Sequence, residues 1–412
     1  MNKKLIPVLL TGWVFVVYEY AVRVSDSVIL PQLSAHLGLD PAALGWLSSA
    51  YYFSYVIFMI PAGIMIDRYG LYRVWLVAIS LLMLGCGLFA MAPNLGLLIL
   101  ARVLMGIGSN FAVIGTFALV MGSKRKGLLV GITMAFCMLG AFLGQGPWIW
   151  LTQTLGSWQL VYWLAGAFGA LLLCGWALMH SKVSQLNIQC GIHGIASTLK
   201  QLFTSPVFLL AAVYVGCLSS PQTAFSALWA PTFLEKAYQL PAQSAAFLTS
   251  LIAIGGLFGG LALGLIGDHY KRTIPLLSGC GVIAALTMGI ILRGQLPYPA
   301  LVFCLFALGF ITNASVVVFA FMGARFADSP RATVQASTNM FNMGGGPILQ
   351  ILVGSLIVGA GSSAAGSLAQ IPVHSITHAL YLMPLLILIS SALILLVQFK
   401  QKPLARDSAS RA

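Results

Sequence analysis

Long runs of apolar residues, separated by short polar segments, recur along the whole chain. A helix needs about 20 apolar residues to cross the hydrocarbon core of a bilayer, and each run reaches that length. The runs predict twelve spans, numbered 1 to 12 in chain order: 5–30, 42–66, 74–92, 95–121, 127–152, 158–180, 206–233, 242–267, 274–292, 298–322, 332–358 and 375–399. The alternating pattern of transmembrane strands does not occur. The chain is therefore predicted to be an all-α membrane protein.

Composition separates the chain from soluble proteins. Of its 412 residues, 59% are hydrophobic and 7% are charged, whereas soluble domains carry about 25% charged residues. The first run contains Glu19, Arg23 and Asp26 and lacks a small-residue cleavage site. It is therefore expected to be a retained span and not a signal peptide.

Lysine and arginine fall mainly in alternate loops, and this bias predicts the orientation. Positive loops stay on the cytoplasmic side, and only Lys236 and Arg293 lie in loops on the other side. Both termini are therefore expected to be cytoplasmic. The same bias accounts for the net charge of +13. Because the basic residues are scattered over short loops and form no patch interleaved with aromatics, nucleic acid is excluded as a partner.

The two halves of the chain resemble each other at offsets of 201 to 205 residues. The aligned pairs are Gly63 with Gly264, Asp67 with Asp268, Gly106 with Gly309, Asn110 with Asn313, and Gln145 with Gln350. A nearly constant offset over several helix pairs indicates an internal duplication. It predicts two pseudo-symmetric six-helix bundles, residues 1–180 and 206–400.

The remaining segments are polar. Residues 181–205 are expected to form a cytoplasmic linker, in which residues 195–203 have the pattern of a short amphipathic helix. Residues 401–412 are expected to form a cytoplasmic tail.

The loop between spans 2 and 3 carries a motif. Gly63, Asp67, Arg68, Gly70 and Arg73 stand in the pattern Pro-Ala-Gly-x-x-x-Asp-Arg-x-Gly-x-x-Arg. Placed between two spans of a duplicated twelve-span chain, this motif resembles the signature loop of the major facilitator superfamily. The resemblance implies that superfamily's fold, in which two six-helix bundles move a solute by alternating access.

The motif and its second copy are interpreted as a gate. Asp67 can lie at the N-terminal end of a neighbouring helix and pair with a base, which would hold the cytoplasmic ends of the two halves together. A solvated loop charge is the alternative. The second copy is reduced, since His269 and Lys271 replace the expected base and glycine. The predicted gating residues are Gly63, Asp67, Arg68, Gly70, Arg73, Asp268, Lys271 and Arg272.

Span 1 carries three ionisable residues within the membrane, Glu19, Arg23 and Asp26. Their spacings of four and three place them on one helical face, and each costs at least about 2.5–3.5 kcal/mol at the membrane centre. One interpretation is a ladder of salt bridges that packs span 1. The other, which we favour, is a cavity-lining stripe in which Arg23 binds an anionic group while Glu19 and Asp26 couple transport to protons.

Polar residues of other spans are candidates for the same cavity. Arg102 is expected either to bind substrate or to hold Asp26. At an offset of 200, the charged face of span 1 corresponds to Ser219, Thr223 and Ser226 in span 7, so the C-terminal half is expected to offer neutral hydrogen bonds. The predicted substrate-binding residues are Arg23, Arg102, Tyr18, Asn110, Gln145, Ser219, Gln222, Thr223, Asn313, Asn339 and Asn342.

Nothing in the sequence indicates a metal, a cofactor or a catalytic group. The seven cysteines lack metal-ligand spacing, and His374 and His378 have no evident third ligand. No nucleotide-binding loop or nucleophile arrangement appears. The chain is therefore expected not to be an enzyme and to use no cofactor, with the proton as coupling ion.

These features predict a secondary transporter. Glu-x-x-x-Arg in span 1, together with the signature loop, resembles bacterial metabolite permeases, including the intraphagosomal amino-acid type. That resemblance implies proton symport of a small polar or zwitterionic, amino-acid-like metabolite across the inner membrane. The alternatives are a proton-driven exporter of a siderophore or drug, and a sensor on a transporter scaffold. The expected partners are the solute and the lipid bilayer, and the protein is expected to be a monomer.

Overall fold

The computed structural model describes residues 5–121, 126–179, 195–269, 273–326, 331–359 and 371–400. Twelve helical segments among them are long and apolar enough to cross a membrane. In the N-terminal half the helices are Leu5–Val24, Ser25–Val28 and Leu30–Leu37 (span 1), Pro41–Tyr69 (span 2), Leu71–Met91 (span 3), Leu95–Met121 (span 4), Lys126–Leu143 and Gly146–Leu155 (span 5), and Trp158–Ala177 (span 6). The predicted all-α fold with twelve spans is confirmed.

The C-terminal half has the same arrangement. Its helices are Pro206–Leu218, Pro221–Trp229 and Ala230–Ala237 (span 7), Ala242–His269 (span 8), Thr273–Leu292 (span 9), Tyr298–Thr312 and Ser315–Arg325 (span 10), Arg331–Gly359 (span 11), and Val373–Leu380 and Leu382–Lys400 (span 12). A further helix, Ile195–Thr204, lies where the linker pattern predicts one. Its Phe203 packs against Phe208 and Phe341, so it lies against spans 7 and 11. Residues 181–194 of the predicted linker and residues 401–412 of the predicted tail lie outside the described residues.

Short polar side chains and prolines mark several helix starts. Asp40 accepts a hydrogen bond from the backbone N–H of Ala43 at 2.7 Å, directly before Pro41 begins span 2. Ser205 caps span 7 in the same way, before Pro206. Such caps satisfy backbone N–H groups that have no partner in the first turn.

Glycines that correspond in the internal repeat bring corresponding spans into close contact. A Cβ atom on Gly106 of span 4 would collide with Ser54 and the carbonyl of Tyr51 in span 2. A Cβ atom on Gly309 of span 10 would collide with the carbonyl of Ile252 in span 8. Small residues of this kind allow membrane helices to approach closely. The duplication detected in the sequence therefore has the same packing role in both halves.

Several spans are interrupted within the membrane. Span 1 narrows to a 3-10 turn at Ser25–Val28, and span 7 widens to a π-helix at Pro221–Trp229. Span 5 breaks at residues 144–145 and span 10 at residues 313–314. The interruptions free backbone carbonyls that need partners from elsewhere in the protein.

The two halves meet at the end of the molecule opposite the termini. Gly45 of span 2 lies so close to span 11 that a Cβ atom would be 2.7 Å from the carbonyl oxygen of Gln350. Ser49 donates a hydrogen bond to the carbonyl of Pro347 at 2.8 Å. Spans 5 and 8 meet at the same end, where the backbone N–H of Gly146 lies 3.2 Å from Ser250 Oγ.

Contacts between spans 2 and 11 are sparser towards the end that carries the termini. There the amide nitrogen of Asn339 lies 3.8 Å from the sulfur of Met59, and a Cβ atom on Gly63 would have no neighbour within 4 Å. The structure is therefore closed at the end opposite the termini.

Candidate functional site

Arg23 and Glu19 form a buried ion pair in span 1. Arg23 Nη2 lies 3.0 Å from Glu19 Oε1 and 2.9 Å from Oε2. Glu19 is fully buried and Arg23 is 2% exposed. The spacing of four residues places one side chain a helical turn from the other, as the sequence predicts.

Tyrosines surround the Arg23 guanidinium. Its central carbon lies 4.1 Å from the ring centroid of Tyr20 and 4.3 Å from that of Tyr55. The rings of Tyr51 and Tyr52 lie at 5.7 and 5.9 Å. Cation–π attraction from several faces stabilises a cation that has lost its water. These four tyrosines are called the tyrosine cage below.

The other half of the molecule reaches the Arg23 guanidinium through span 11. Arg23 Nη1 lies 3.7 Å from Met343 Sδ. Asn342, one residue earlier, donates to Asn339 Oδ1 at 3.3 Å. Arg23 Nε and Asn342 Oδ1 are buried and have no hydrogen-bond partner among the described residues. Arg23 Nε is therefore a donor, and Asn342 Oδ1 an acceptor, that could bind a ligand where the two halves meet beside Arg23.

Asp26 is not part of this pair. It lies beyond the point where span 1 changes to a 3-10 turn, and its Oδ2 lies 3.0 Å from Arg102 Nη2 in span 4. Arg102 also donates to the carbonyls of Val22 at 3.1 Å and Arg23 at 3.0 Å. The predicted single stripe of three charges is thus split into two ion pairs, because the interruption turns Asp26 away from Arg23. Arg102 therefore makes the contact with Asp26 that one of its two expected roles requires, and its substrate-binding role stays a prediction.

Two glutamines that correspond in the repeat hold the π-helical part of span 7. Gln145 Nε2 donates to the carbonyl of Ser226 at 2.8 Å, across the boundary between the halves. Gln350 Nε2 donates to the carbonyl of Thr223 at 2.8 Å. Gln350 also lies 3.1 Å from Ser49 Oγ in span 2. Gln145, predicted to bind substrate, is therefore engaged in closing the end opposite the termini.

The other predicted substrate residues lie in several places. Gln222 of span 7 and Asn313 of span 10 lie against Gly256 of span 8. A Cβ atom on Gly256 would be 2.7 Å from Gln222 Nε2 and 2.5 Å from Asn313 Nδ2. Ser219 donates to the carbonyl of Asn342 at 2.6 Å, which joins span 7 to the Arg23 region.

Three more of these predicted residues bond within their own half. Thr223 Oγ1 donates to the carbonyl of Ser219 at 3.0 Å. Asn110 donates to the carbonyl of Tyr55. The Tyr18 hydroxyl lies 3.4 Å from Cys86 Sγ in span 3.

The predicted gate is described only in part. Gly70 has a φ of 79° where span 2 ends and span 3 begins, a backbone conformation that favours glycine. Arg68 and Arg73 are exposed, and the guanidinium of Arg68 lies 5.4 Å from the Tyr69 ring. The side chains of Asp67 and Asp268, and residues Lys271 and Arg272 as a whole, lie outside the described part of the chain. The latch therefore stays a prediction.

The sequence did not single out Tyr51 and Ser109 as parts of this site. The Tyr51 hydroxyl lies 3.1 Å from Glu19 Oε2 and 2.5 Å from Ser109 Oγ. A possible signal is the run Tyr51-Tyr52-Phe53-Ser54-Tyr55, which puts Tyr51 and Tyr55 on one helical face. Tyrosine is also common at membrane interfaces, so the run alone does not distinguish a cage from a surface belt.

Twelve spans in two similar bundles, with ion pairs buried beside their boundary, define a secondary transporter. The model of the Major Facilitator Superfamily matches residues 14–350, and the chain belongs to this superfamily. The protein is similar to the probable galactarate/D-glucarate transporter GudP of Escherichia coli K12, at 26% identity over 88% of this chain and 89% of GudP. It is also similar to the probable sulfoacetate transporter SauU of Cupriavidus necator, at 25% identity over 62% of this chain and 63% of SauU.

Among solved structures, the chain resembles a bacterial homologue of the human lysosomal transporter Spinster in an inward-facing and occupied conformation. The TM-score is 0.75 at 14% identity, covering 95% of this chain and 96% of the homologue. At this identity the likeness establishes the fold alone. The superfamily and the curated relatives agree with a membrane transporter.

Proposed function

We propose that the chain is a proton-coupled symporter that moves a small polar metabolite carrying a carboxylate. The observation that carries this proposal is the buried Arg23–Glu19 pair, with Met343 of the other half 3.7 Å from the same guanidinium. Because the pair lies beside the boundary between the halves, its charge state can be linked to their relative movement.

Protonation of Glu19 would release Arg23 for substrate. A neutral carboxyl group attracts the guanidinium far less than a carboxylate does, and Arg23 can then bind a substrate carboxylate, for which its planar fork is well matched. The charge of the site is the same before and after, because one carboxylate replaces another beside Arg23.

The same replacement explains strict coupling. A proton alone would leave Arg23 as an uncompensated cation inside the membrane, and a substrate anion alone would leave an excess carboxylate. Both states carry a net charge that is costly in a medium of low dielectric constant. The empty pair and the fully loaded site are the two states that can cross.

The substrate class follows from which acids are already engaged. Glu19 and Asp26 both have an arginine partner, so the interior of the described spans offers no spare carboxylate for a substrate ammonium group. This favours an organic acid over the zwitterionic, amino-acid-like solute expected from the sequence. Galactarate, D-glucarate and sulfoacetate, the solutes named for the relatives, are organic acids with two acidic groups each, so a neutral loaded site requires a second proton besides the one on Glu19. The amides of Asn339 and Asn342 are suited to bind hydroxyl groups of such a substrate.

The proposal is tested by uptake into proteoliposomes under an imposed pH gradient. The probes are labelled D-glucarate, galactarate and sulfoacetate, with alanine and glutamate as amino-acid probes. We expect accumulation of an organic acid when the outside is more acidic, and its loss when a protonophore is added. Accumulation of amino acids alone would restore the zwitterion interpretation. Solute that moves only towards the more acidic side, against the proton flow, would indicate an exporter, and the absence of any flux would contradict a transporter of these solutes.

Replacing the coupling carboxyl separates binding from coupling. Glu19→Gln mimics the protonated state, so we expect it to bind and exchange substrate without accumulating it against a gradient. Uptake by this variant should no longer depend on pH. Glu235→Gln, at a half-buried acid near the loop between spans 7 and 8, is the matched control and should keep the dependence. Uptake by Glu19→Gln that follows the pH gradient as in the unchanged protein would refute the coupling role.

We also propose that both termini face the cytoplasm of a bacterial inner membrane, from the distribution of lysine and arginine between the loops. The closed end would then face outwards. Labelling of single cysteines placed at Arg293 and at the N-terminus, in intact and in permeabilised cells, tests this orientation.

A further inference from the structure

The Tyr51 hydroxyl lies between two oxygens that it cannot serve at once. Glu19 Oε2 is 3.1 Å away and Ser109 Oγ is 2.5 Å away. The phenol has one proton, so it donates to one neighbour and must accept from the other. All three side chains are fully buried. The direction of this short chain of hydrogen bonds is therefore set by the protonation state of Glu19.

When Glu19 is charged, the carboxylate can only accept hydrogen bonds. Tyr51 then donates to Glu19 Oε2. At Ser109 the geometry makes the Tyr51 hydroxyl the donor, so the Ser109 hydroxyl must turn before it can donate to the Tyr51 oxygen. The bond to the carboxylate is charge-assisted and is the stronger of the two.

When Glu19 is neutral, the order reverses. The carboxyl O–H donates to the Tyr51 oxygen, Tyr51 donates to Ser109 Oγ, and the Ser109 hydroxyl can turn to the carbonyl of Met105 one helical turn back. Every proton and every oxygen keeps a partner in both states. Without Tyr51, the O–H group of neutral, buried Glu19 would lose this acceptor. A buried donor without a partner is unfavourable.

We propose that Tyr51 is a positioning residue for proton coupling, which reverses its hydrogen bonds with Ser109 so that Glu19 has a partner in both its charged and its neutral form. This inference rests on the proposed role of Glu19 as the coupling carboxyl. It adds to that role a residue that is a hydrogen-bond partner for both forms of Glu19 and stabilises the charged form more strongly.

Other groups near Glu19 do not replace Tyr51. Among the hydrogen bonds described for Glu19, the partners of its carboxyl oxygens are Arg23 and Tyr51. Arg23 has no acceptor atom, so it can serve only the charged form. The titratable or charged groups that face Glu19 are Tyr20 and Arg23 in span 1, Tyr51, Tyr52 and Tyr55 in span 2, and Cys137 in span 5. Arg102 of span 4 lies next to Tyr51, 4.7 Å from its ring centroid.

The test is infrared difference spectroscopy of the purified full-length protein during a pH titration. It observes the carboxyl stretch of protonated Glu19, identified as the band that Glu19→Gln removes, and it needs no transport. In Tyr51→Phe the charged form loses the stronger bond, so we expect the titration midpoint to rise by about one pH unit. The carboxyl band should also move to higher frequency, because its O–H has lost an acceptor.

Ser109→Ala gives a prediction of opposite sign. It leaves Tyr51 able to donate to the charged carboxylate, but in the neutral form the Tyr51 proton is left with the weaker acceptor, the backbone carbonyl of Glu19 at 3.4 Å. The midpoint should therefore fall. Tyr214→Phe removes a buried tyrosine hydroxyl of the other half, which donates to the carbonyl of Leu277, and should leave the midpoint where it is. Because Ser109→Ala is a small change, it keeps the proposal testable even if Tyr51→Phe does not fold.

The results separate this inference from the proposed function. Midpoints that move in opposite directions support it, even if no solute is transported. Shifts of the same sign in both variants, an unchanged band in Tyr51→Phe, or a Glu19 that does not titrate in the unchanged protein would each overturn it. Proton-coupled uptake together with any of these results would leave the proposed function standing without Tyr51.

Discussion

Arg23 makes contacts that depend on the shape of its side chain as well as on its charge. The guanidinium lies beside the rings of Tyr20 and Tyr55 while one nitrogen contacts both oxygens of Glu19. A lysine ammonium is a compact, strongly hydrated charge and cannot stack as a plane on aromatic rings. A lysine at position 23 would therefore keep the positive charge but lose these contacts with the rings.

Arg23→Lys is expected to weaken substrate binding by at least about ten-fold, the equivalent of one lost charged hydrogen bond of about 1.5 kcal/mol. The measurement is the apparent KM for uptake, together with substrate-induced thermal stabilisation of the purified protein. The control is Arg293→Lys, at an exposed residue in the loop between spans 9 and 10. An unchanged KM in Arg23→Lys would show that Arg23 does not contact substrate.

Interruptions of spans 1 and 7 are stabilised by side chains from neighbouring spans. Where span 1 narrows, the carbonyls of Val22 and Arg23 accept hydrogen bonds from Arg102. Where span 7 widens, the carbonyls of Thr223 and Ser226 accept hydrogen bonds from two glutamines. Backbone groups freed inside a membrane protein must find such partners, because no water is at hand.

Asp26→Asn should be strongly destabilising, because it leaves the buried guanidinium of Arg102 without its counter-charge. Removal of one member of a buried ion pair costs about 3–5 kcal/mol. The measurement is the thermal unfolding midpoint in detergent. The double variant Asp26→Asn with Arg102→Gln should recover part of the loss, since it removes both charges. Equal stability of the single variant and the unchanged protein would mean that the pair contributes little to holding span 1.

Gln145→Ala and Gln350→Ala should each loosen the closed end. Each removes a hydrogen bond worth about 1 kcal/mol, which corresponds to about a five-fold shift of the equilibrium towards the state open at that end. The measurement is the distance between spin labels at Trp46 and Leu356, exposed residues of spans 2 and 11 near this end. Gln295→Ala, in an exposed loop, is the control. Distance distributions that match the unchanged protein would show that these bonds do not hold the gate.

At the scale of the molecule, the duplication makes one packing prediction for two distant sites. Gly106 and Gly309 occupy equivalent close contacts in the two halves, whereas a Cβ atom on Gly175 or Gly289 would have no neighbour within 4 Å. Gly106→Ala and Gly309→Ala should both lower the unfolding midpoint, because a methyl group would force span 4 away from span 2, or span 10 away from span 8. Gly175→Ala and Gly289→Ala are the controls and should be neutral or stabilising by about 0.5–1 kcal/mol. Tolerance of alanine at either crossing would contradict the packing described.

Much of the fold could be predicted from the sequence, and the site only in part. The positions of the spans and the aligned glycines followed from apolar runs and from the repeat. The pairing of Glu19 with Arg23 followed from a spacing of four residues within one helix. Asp26, predicted on the same face, pairs with Arg102 instead, because helical periodicity assumes an unbroken helix. The partner of Glu19 in span 2 and the role of Gln145 involve residues far apart in sequence, which no local pattern links.

The amino-acid sequence by itself determined that this chain crosses a membrane twelve times in two similar halves. The physical reason is that the bilayer requires apolar segments of set length whose backbone bonds are satisfied within each helix. Tertiary structure alone decided which buried charges meet, where the helices are interrupted and which end is closed. Those outcomes depend on how helices from different parts of the chain pack, since a buried polar group pairs with the nearest complementary group in space and not in sequence.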